Sequence, residues 1–179
     1  MVIFDSMKLL RGVFAFYINS SIHVALAVVS LLAVTVLEYN LPISKELWAF
    51  VFLSTLSGYN FVKYAKVAGL HHRSLTQSLK TIQVFSAFCF ALLVIIAFIL
   101  PIKVLLITAA FGLTTFFYAV PFIRSKNLRN FSGLKIFVVA FVWAGVTVIL
   151  PFVEAEIDLT ADVLLTFFQR ILIVVALIL

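Results

Sequence analysis

Charge is absent from long runs of this chain, and where it returns it is sorted by sign. No Asp, Glu, Lys or Arg occurs between Arg11 and Glu38, between Glu46 and Lys63, between Lys80 and Lys103, between Lys103 and Arg124, or between Lys135 and Glu154. The final stretch, Val163 to Leu179, holds only Arg170. Apolar runs of about 16 to 26 residues, at about 1.5 Å rise each, suit a hydrocarbon layer about 30 Å thick. No water reaches that layer to satisfy a backbone, and only a helix does so within one segment, without closing a barrel. The fold class is therefore all-α, a polytopic transmembrane bundle of about six helices spanning roughly 13–37, 47–68, 81–100, 104–120, 134–152 and 162–179.

A mean hydropathy of +1.26 and a charged share of 11% exclude a water-soluble domain, in which about a quarter of residues are charged. The twenty phenylalanines suit lipid-facing and helix-packing surfaces. A net charge of +6 raises nucleic acid as a partner, but the cations sit in short loops beside apolar spans, so membrane lipid is the partner and nucleic acid is not. The single cysteine, Cys89, falls inside the third apolar run, where it acts as a small core hydrophobe and can form no intrachain disulfide. The first twelve residues, MVIFDSMKLLRG, carry two cations and no small-residue cleavage pattern, and read as a retained amphipathic lead-in.

Taking ends and loops alternately, one side collects Lys8, Arg11, Lys63, Lys66, Arg73, Lys80, Arg124, Lys126, Arg129 and Lys135, with Asp5 its only carboxylate. The other collects Glu38, Glu46, Glu154, Glu156, Asp158 and Asp162, with Lys45 and Lys103. Ten loop cations against two predict a multi-pass protein of the cytoplasmic membrane with its N-terminus inside. Gly69 offers a stop for the second helix, and Lys63 and Lys66 fall in its last turns, placed to snorkel or to face a polar cavity. Leu100-Pro101-Ile102-Lys103 reads as a tight outer turn, and Pro151 as the end of the fifth helix. The chain reads as one transmembrane domain, 1–179. Its last helix carries no charged anchor, so the expectation is the N-terminal part of a longer protein.

Chemistry concentrates in the two inner regions, Ser57 to Ser74 and Tyr118 to Lys135. Ser57, Asn60 and Tyr64 share one helical face, with Lys63 beside it and Lys66 a turn on. Together the regions hold eight basic or imidazole side chains, Lys63, Lys66, His71, His72, Arg73, Arg124, Lys126 and Arg129. If the regions meet, they form an anion-attracting pocket at the inner surface; the plainer reading is that the cations set topology and touch lipid headgroups. Asn60, in an otherwise apolar or hydroxylated helix, is interhelical glue or a ligand contact.

These regions resemble the two sides of the active site in UbiA-type intramembrane polyprenyltransferases. Tyr118-Ala-Val-Pro121 with Arg124 resembles the family's Tyr-x-x-Pro element after helix four, and Gly133-Leu-Lys opens helix five as the family does. Asn60 stands at the Asn of the first motif, N-D-x-x-D-x-x-x-D, but its aspartate positions hold Phe61, Tyr64 and Ala68. The resemblance implies the first six helices of a nine-helix bundle. It also implies a prenyl or polyprenyl diphosphate held by Asn60, Lys63, Tyr64, Lys66, Tyr118, Arg124, Lys126 and Arg129. The family uses Mg²⁺ on its aspartates; the first-motif ligands are absent here, and Mg²⁺ wants hard oxygen ligands. Two functions follow as expectations: transfer of a prenyl group to an acceptor with an altered metal site, or a catalytically inactive subunit or lipid-phosphate-binding scaffold alongside other membrane proteins. A small transporter or channel component ranks last, because no intramembrane carboxylate or broken-helix pair is evident.

Elsewhere, Asn19, Ser20, Ser21 and His23 read as a hydrogen-bonded packing cluster midway along the first span, with a cavity wall as the alternative. His71-His72 reads as surface loop, since adjacent histidines do not share a helical face. Arg170 is expected to snorkel outward or pair with Asp162 or Glu154. Trp48 and Trp143 fit helix ends or packing.

Overall fold

The computed structural model describes residues 2–68, 77–119 and 133–179. Every regular element in them is helical: α1 (Val2–Asn19), α2 (Ile22–Tyr39), α3 (Lys45–Ala68), α4 (Gln77–Ala97), α5 (Ile102–Ala119), α6 (Leu134–Ala144), a π-helical turn (Gly145–Ile149), α7 (Leu150–Glu154) and α8 (Ala161–Ile178). Four segments, Ile22–Tyr39, Leu79–Ala97, Ile136–Glu154 and Ala161–Ile178, are long and apolar enough to cross a membrane. Ile102–Phe117 in α5 is apolar but shorter, and α3 carries Lys45, Glu46, Lys63 and Lys66 near its ends. The outward surface is apolar to match: Phe98 is 86% exposed and Leu37 80%. Such a surface is unfavourable against water and natural against hydrocarbon, so the architecture is compatible with a multi-pass membrane protein.

α3 stands at the centre. Val28 and Leu32 from α2, Leu47, Phe50 and Val51 from α3, Val104 from α5 and Leu150 from α7 form the main buried cluster, which Trp48 and Trp143 flank. Ala25, Leu53, Leu56 and Cys89 close α2, α3 and α4 together, and Cys89 is the buried small hydrophobe expected. Leu41, Val148, Phe152 and Val163 join the α2–α3 turn to α7 and α8.

Polar contacts fix which ends lie together. At one end Ser44 donates from its backbone N–H and its hydroxyl to the Glu154 carboxylate and accepts from the Leu47 N–H at 3.1 Å, capping α3. Tyr39 and Thr166 share a 2.6 Å hydroxyl bond, and Lys103 pairs with Glu156 at 3.5 Å. The α2–α3, α4–α5 and α7–α8 turns thus gather at one acidic end. The opposite, basic end holds the α1–α2 junction and the end of α3. This is the alternation predicted from the charges.

Four expectations change in the structure. The first helix is not continuous over 13–37: it breaks at Ser20 and Ser21, and the lead-in is itself the start of helix α1. Ser21 adopts the left-handed φ of 62°, and the hydrogen-bonded side-chain cluster expected here does not form: Ser20 Oγ, Ser21 Oγ and His23 Nδ1 are buried without a partner among the described residues, and it is the backbone carbonyls of Asn19 and Ser20 that α3 side chains bond. His23 accordingly lies in the first turn of α2 at the break, not midway along a span. Pro151 does not end its helix. The i→i+5 bond from the Leu150 N–H to the Gly145 carbonyl widens the preceding turn, which gives the ring room where a regular turn would clash with it. Arg170 reaches neither Asp162 nor Glu154; it is 4% exposed and donates to the Leu31 carbonyl at 2.6 Å and to Thr35 Oγ1 at 3.1 Å.

Candidate functional site

Between α3, α5 and α6 lies a cavity of about 140 Å³. From α3 it is lined by Ser54, Thr55, Gly58, Tyr59 and Val62, which recur at one-turn spacing on one face. From α5 come Thr108, Phe111, Gly112 and Thr115, and from α6 valines and Trp143. Three of the five hydroxyl hydrogens among its lining residues are spent on their own helices: Ser54 donates to the Val51 carbonyl at 3.2 Å, Thr108 to Val104 at 2.8 Å and Thr115 to Phe111 at 3.0 Å. The lining is therefore mostly methyl, methylene and ring surface, with the Thr55 and Tyr59 hydroxyls as its unspent donors. Such a wall accommodates an apolar chain and presents no charged side chain to an anion. Cβ atoms placed on Gly58 or Gly112 would meet nothing within 4 Å, so the two glycines leave part of the space open.

Gly145 has the opposite role. A Cβ there would overlap the Phe111 ring, which seats directly on the glycine of the π-helical turn. Phe111 also packs edge-on against Phe141, with centroids 5.7 Å apart. The glycine, the widened turn and the α5 aromatic together shape one chamber wall.

The predicted head-group residues divide. Asn60, Lys63 and Tyr64 lie on the face of α3 turned from the chamber, toward α4 and the α1–α2 junction. The Asn60 amide donates to the Ser20 carbonyl at 3.0 Å and to Ser86 Oγ at 2.8 Å. Lys63 Nζ and the Tyr64 hydroxyl both donate to the Asn19 carbonyl, at 3.0 and 2.8 Å. These bonds satisfy carbonyls that the helix break leaves without intrahelical donors. Phe61, at the motif's first aspartate position, stacks on Phe116 of α5 with centroids 6.4 Å apart. Lys66 and Tyr118 fall within α3 and α5, one at the basic end of each. Arg124, Lys126 and Arg129, with His71, His72, Arg73 and Pro121, lie outside the described residues.

The chamber residues were not singled out from sequence. The signal was present in the four-residue spacing of small side chains, Ser54 with Gly58 and Thr108 with Gly112, a pattern that commonly brings two membrane helices close. Here the two stripes face a shared space instead.

No family model matches the chain, and no characterised protein or solved structure is significantly similar to it. Among the described residues no group of three or more His, Cys, Asp or Glu side chains is placed to hold a metal ion.

Proposed function

We propose that this chain is a six-span, UbiA-like membrane protein that holds a prenyl or polyprenyl diphosphate at the cytoplasmic membrane surface, with the isoprenoid tail in the α3–α5–α6 chamber. The observation that carries the reading is the chamber itself. It is apolar, and it is bounded by α3 and by the two helices that flank the Tyr118–Lys135 segment. Its α3 wall ends at Val62, next to Lys63, and its α6 wall begins at Val138, three residues after Lys135. A tail in that space leaves its head group at the level where the inner cations begin. Lys66, Arg124, Lys126 and Arg129 are the candidates to neutralise it, with Tyr118 as a hydroxyl partner. Asn60, Lys63 and Tyr64 hold the helix junction beside it.

The residues at the motif's aspartate positions, Phe61, Tyr64 and Ala68, do not fit a magnesium site of the family's kind, because none carries a carboxylate. Lysine and arginine neutralise a diphosphate but are poorer Lewis acids than a metal for promoting its departure. Binding is accordingly favoured over prenyl transfer.

Gly58→Leu and Gly112→Leu test this, because each adds bulk to open space. In full-length protein in lipid nanodiscs, either change should weaken geranylgeranyl diphosphate binding about tenfold, or about 1.4 kcal/mol, without lowering the unfolding temperature. Wild-type affinity in both variants would overturn the reading. Release of diphosphate on incubation with donor and acceptor would shift it from a binding protein to a transferase.

A further inference from the structure

A second space lies on the opposite face of α3. It is a groove of about 380 Å³ between α3 and α4, lined by Ser57, Asn60 and Phe61 on one side and by Gln83, Ala87 and Phe90 among others on the other. Asn60 is 3% exposed. Its orientation is fixed by chemistry: the Ser20 carbonyl can only accept, so the amide nitrogen must face it. With both amide hydrogens spent on Ser20 and Ser86, Oδ1 is left buried without a hydrogen-bond partner among the described residues. Ser57 Oγ, one turn earlier, is buried and unpartnered in the same way. Two residues that line one groove from the same helix thus each carry an orphaned group, one an acceptor and the other a hydroxyl that can donate.

We propose that this groove binds a neutral lipid alcohol. Its hydroxyl donates to Asn60 Oδ1 and accepts from Ser57 Oγ–H, and its chain lies along the α3–α4 seam past Ala87 and Phe90. The two orphaned groups select this class. A phosphate brings only acceptors to Oδ1, and an ammonium brings no lone pair for the Ser57 hydrogen. An alcohol supplies one of each. The placement agrees. Asn60 and Gln83 each sit three residues from a cation of the basic end, Lys63 and Lys80, about 4.5 Å along each helix. Phe90 lies seven residues deeper on α4, about 10 Å away. Phe61 and Phe90 are 48% and 57% exposed and flank the groove with ring surface. The hydroxyl would thus rest just beneath the interface with its chain directed toward the bilayer centre.

The test uses full-length protein in nanodiscs with a diazirine-bearing hexadecanol, crosslinked by light and mapped by mass spectrometry. Labelling is expected on α3 and α4 near Phe61, Ala87 and Phe90. Hexadecanol should compete about fivefold better than its methyl ether, which has no hydrogen for Oδ1. Ser57→Ala removes a hydroxyl that has no partner to lose. It should keep the unfolding temperature while weakening competition about fivefold, and Ala87→Phe should abolish labelling by filling the groove. Gly58→Leu, on the other face of α3, should leave labelling intact, which separates this site from the chamber. Competition by dioleoylglycerol would identify a membrane lipid as the source of the hydroxyl, and its failure a free long-chain alcohol. Equal competition by the ether, full competition in Ser57→Ala, or labelling spread over all exposed helices would overturn the proposal and leave the groove to water.

Discussion

Arg170 of α8 donates its guanidinium to the hydroxyl of Thr35 on α2 at 3.1 Å. The same guanidinium takes the Leu31 carbonyl at 2.6 Å, and Glu38, one turn along α2, is the carboxylate whose field acts on it. No carboxylate bonds the guanidinium directly among the described residues. A buried charge held by neutral acceptors is costly to leave half-satisfied, while replacing the whole set with apolar groups is often harmless.

Thr35→Val should therefore lower stability by about 1–3 kcal/mol by leaving a guanidinium N–H unmatched. The Thr35→Val/Arg170→Met double variant should recover most of that loss, because the unmatched donor is gone. Chemical unfolding of the purified protein in mixed micelles measures both. A double variant as unstable as Thr35→Val would mean that the charge itself holds α8 in place.

Gly145→Ala should destabilise by about 1–3 kcal/mol, the usual cost of forcing bulk into a packed site, since its methyl would overlap the Phe111 ring. Trimming the ring in Phe111→Leu should restore part of the loss when the two are combined, because the nearest atoms the methyl would meet all belong to that ring. Thermal unfolding in detergent reads this. A Gly145→Ala protein as stable as wild type would mean that Phe111 moves aside freely and that this chamber wall is soft.

The helices and the alternation of their ends were legible because both follow from where charge is absent and which sign returns. The helix break at Ser20 and Ser21 was not legible as a break. Asn19, Ser20 and Ser21 serve equally as interhelical glue within a span, and only the packing of Asn60, Lys63 and Tyr64 against the freed carbonyls decides between the two. The passage of the helix through Pro151 was hidden for a similar reason: proline normally stops a helix, and the widened turn that admits it begins at Gly145, against which Phe111, far away in sequence, is packed. The polar face of α3 drew attention because its side chains carry chemistry. The chamber face did not, because it is defined by side chains that are small.

Asn60→Ala removes the donors to the Ser20 carbonyl and to Ser86, and should destabilise the junction by about 1–3 kcal/mol. The effect should be local. Hydrogen exchange should quicken in α1 and the first turn of α2 before it changes in α6 or α8, since openings follow cooperative units of structure. Tyr64→Phe, which drops one of two donors to the Asn19 carbonyl, should do the same more weakly. Exchange that rises uniformly across the bundle would show that the junction is not a separate unit.

The side of the membrane on which the acidic end lies is testable with one reactive thiol. Cys89 is buried at 4% exposure, so Cys89→Ala gives a background free of native thiols at the cost of a small cavity. Asp158→Cys then places a thiol in the exposed α7–α8 turn, and Arg11→Cys places one on exposed α1. Asp158 is preferable to Glu156, whose φ of 55° would strain a cysteine. With ten loop cations on one side and two on the other, a membrane-impermeant maleimide added to intact cells should label Asp158→Cys and spare Arg11→Cys until the membrane is opened. The reverse pattern would turn the bundle over, and the cationic end of the proposed chamber would then face the outside.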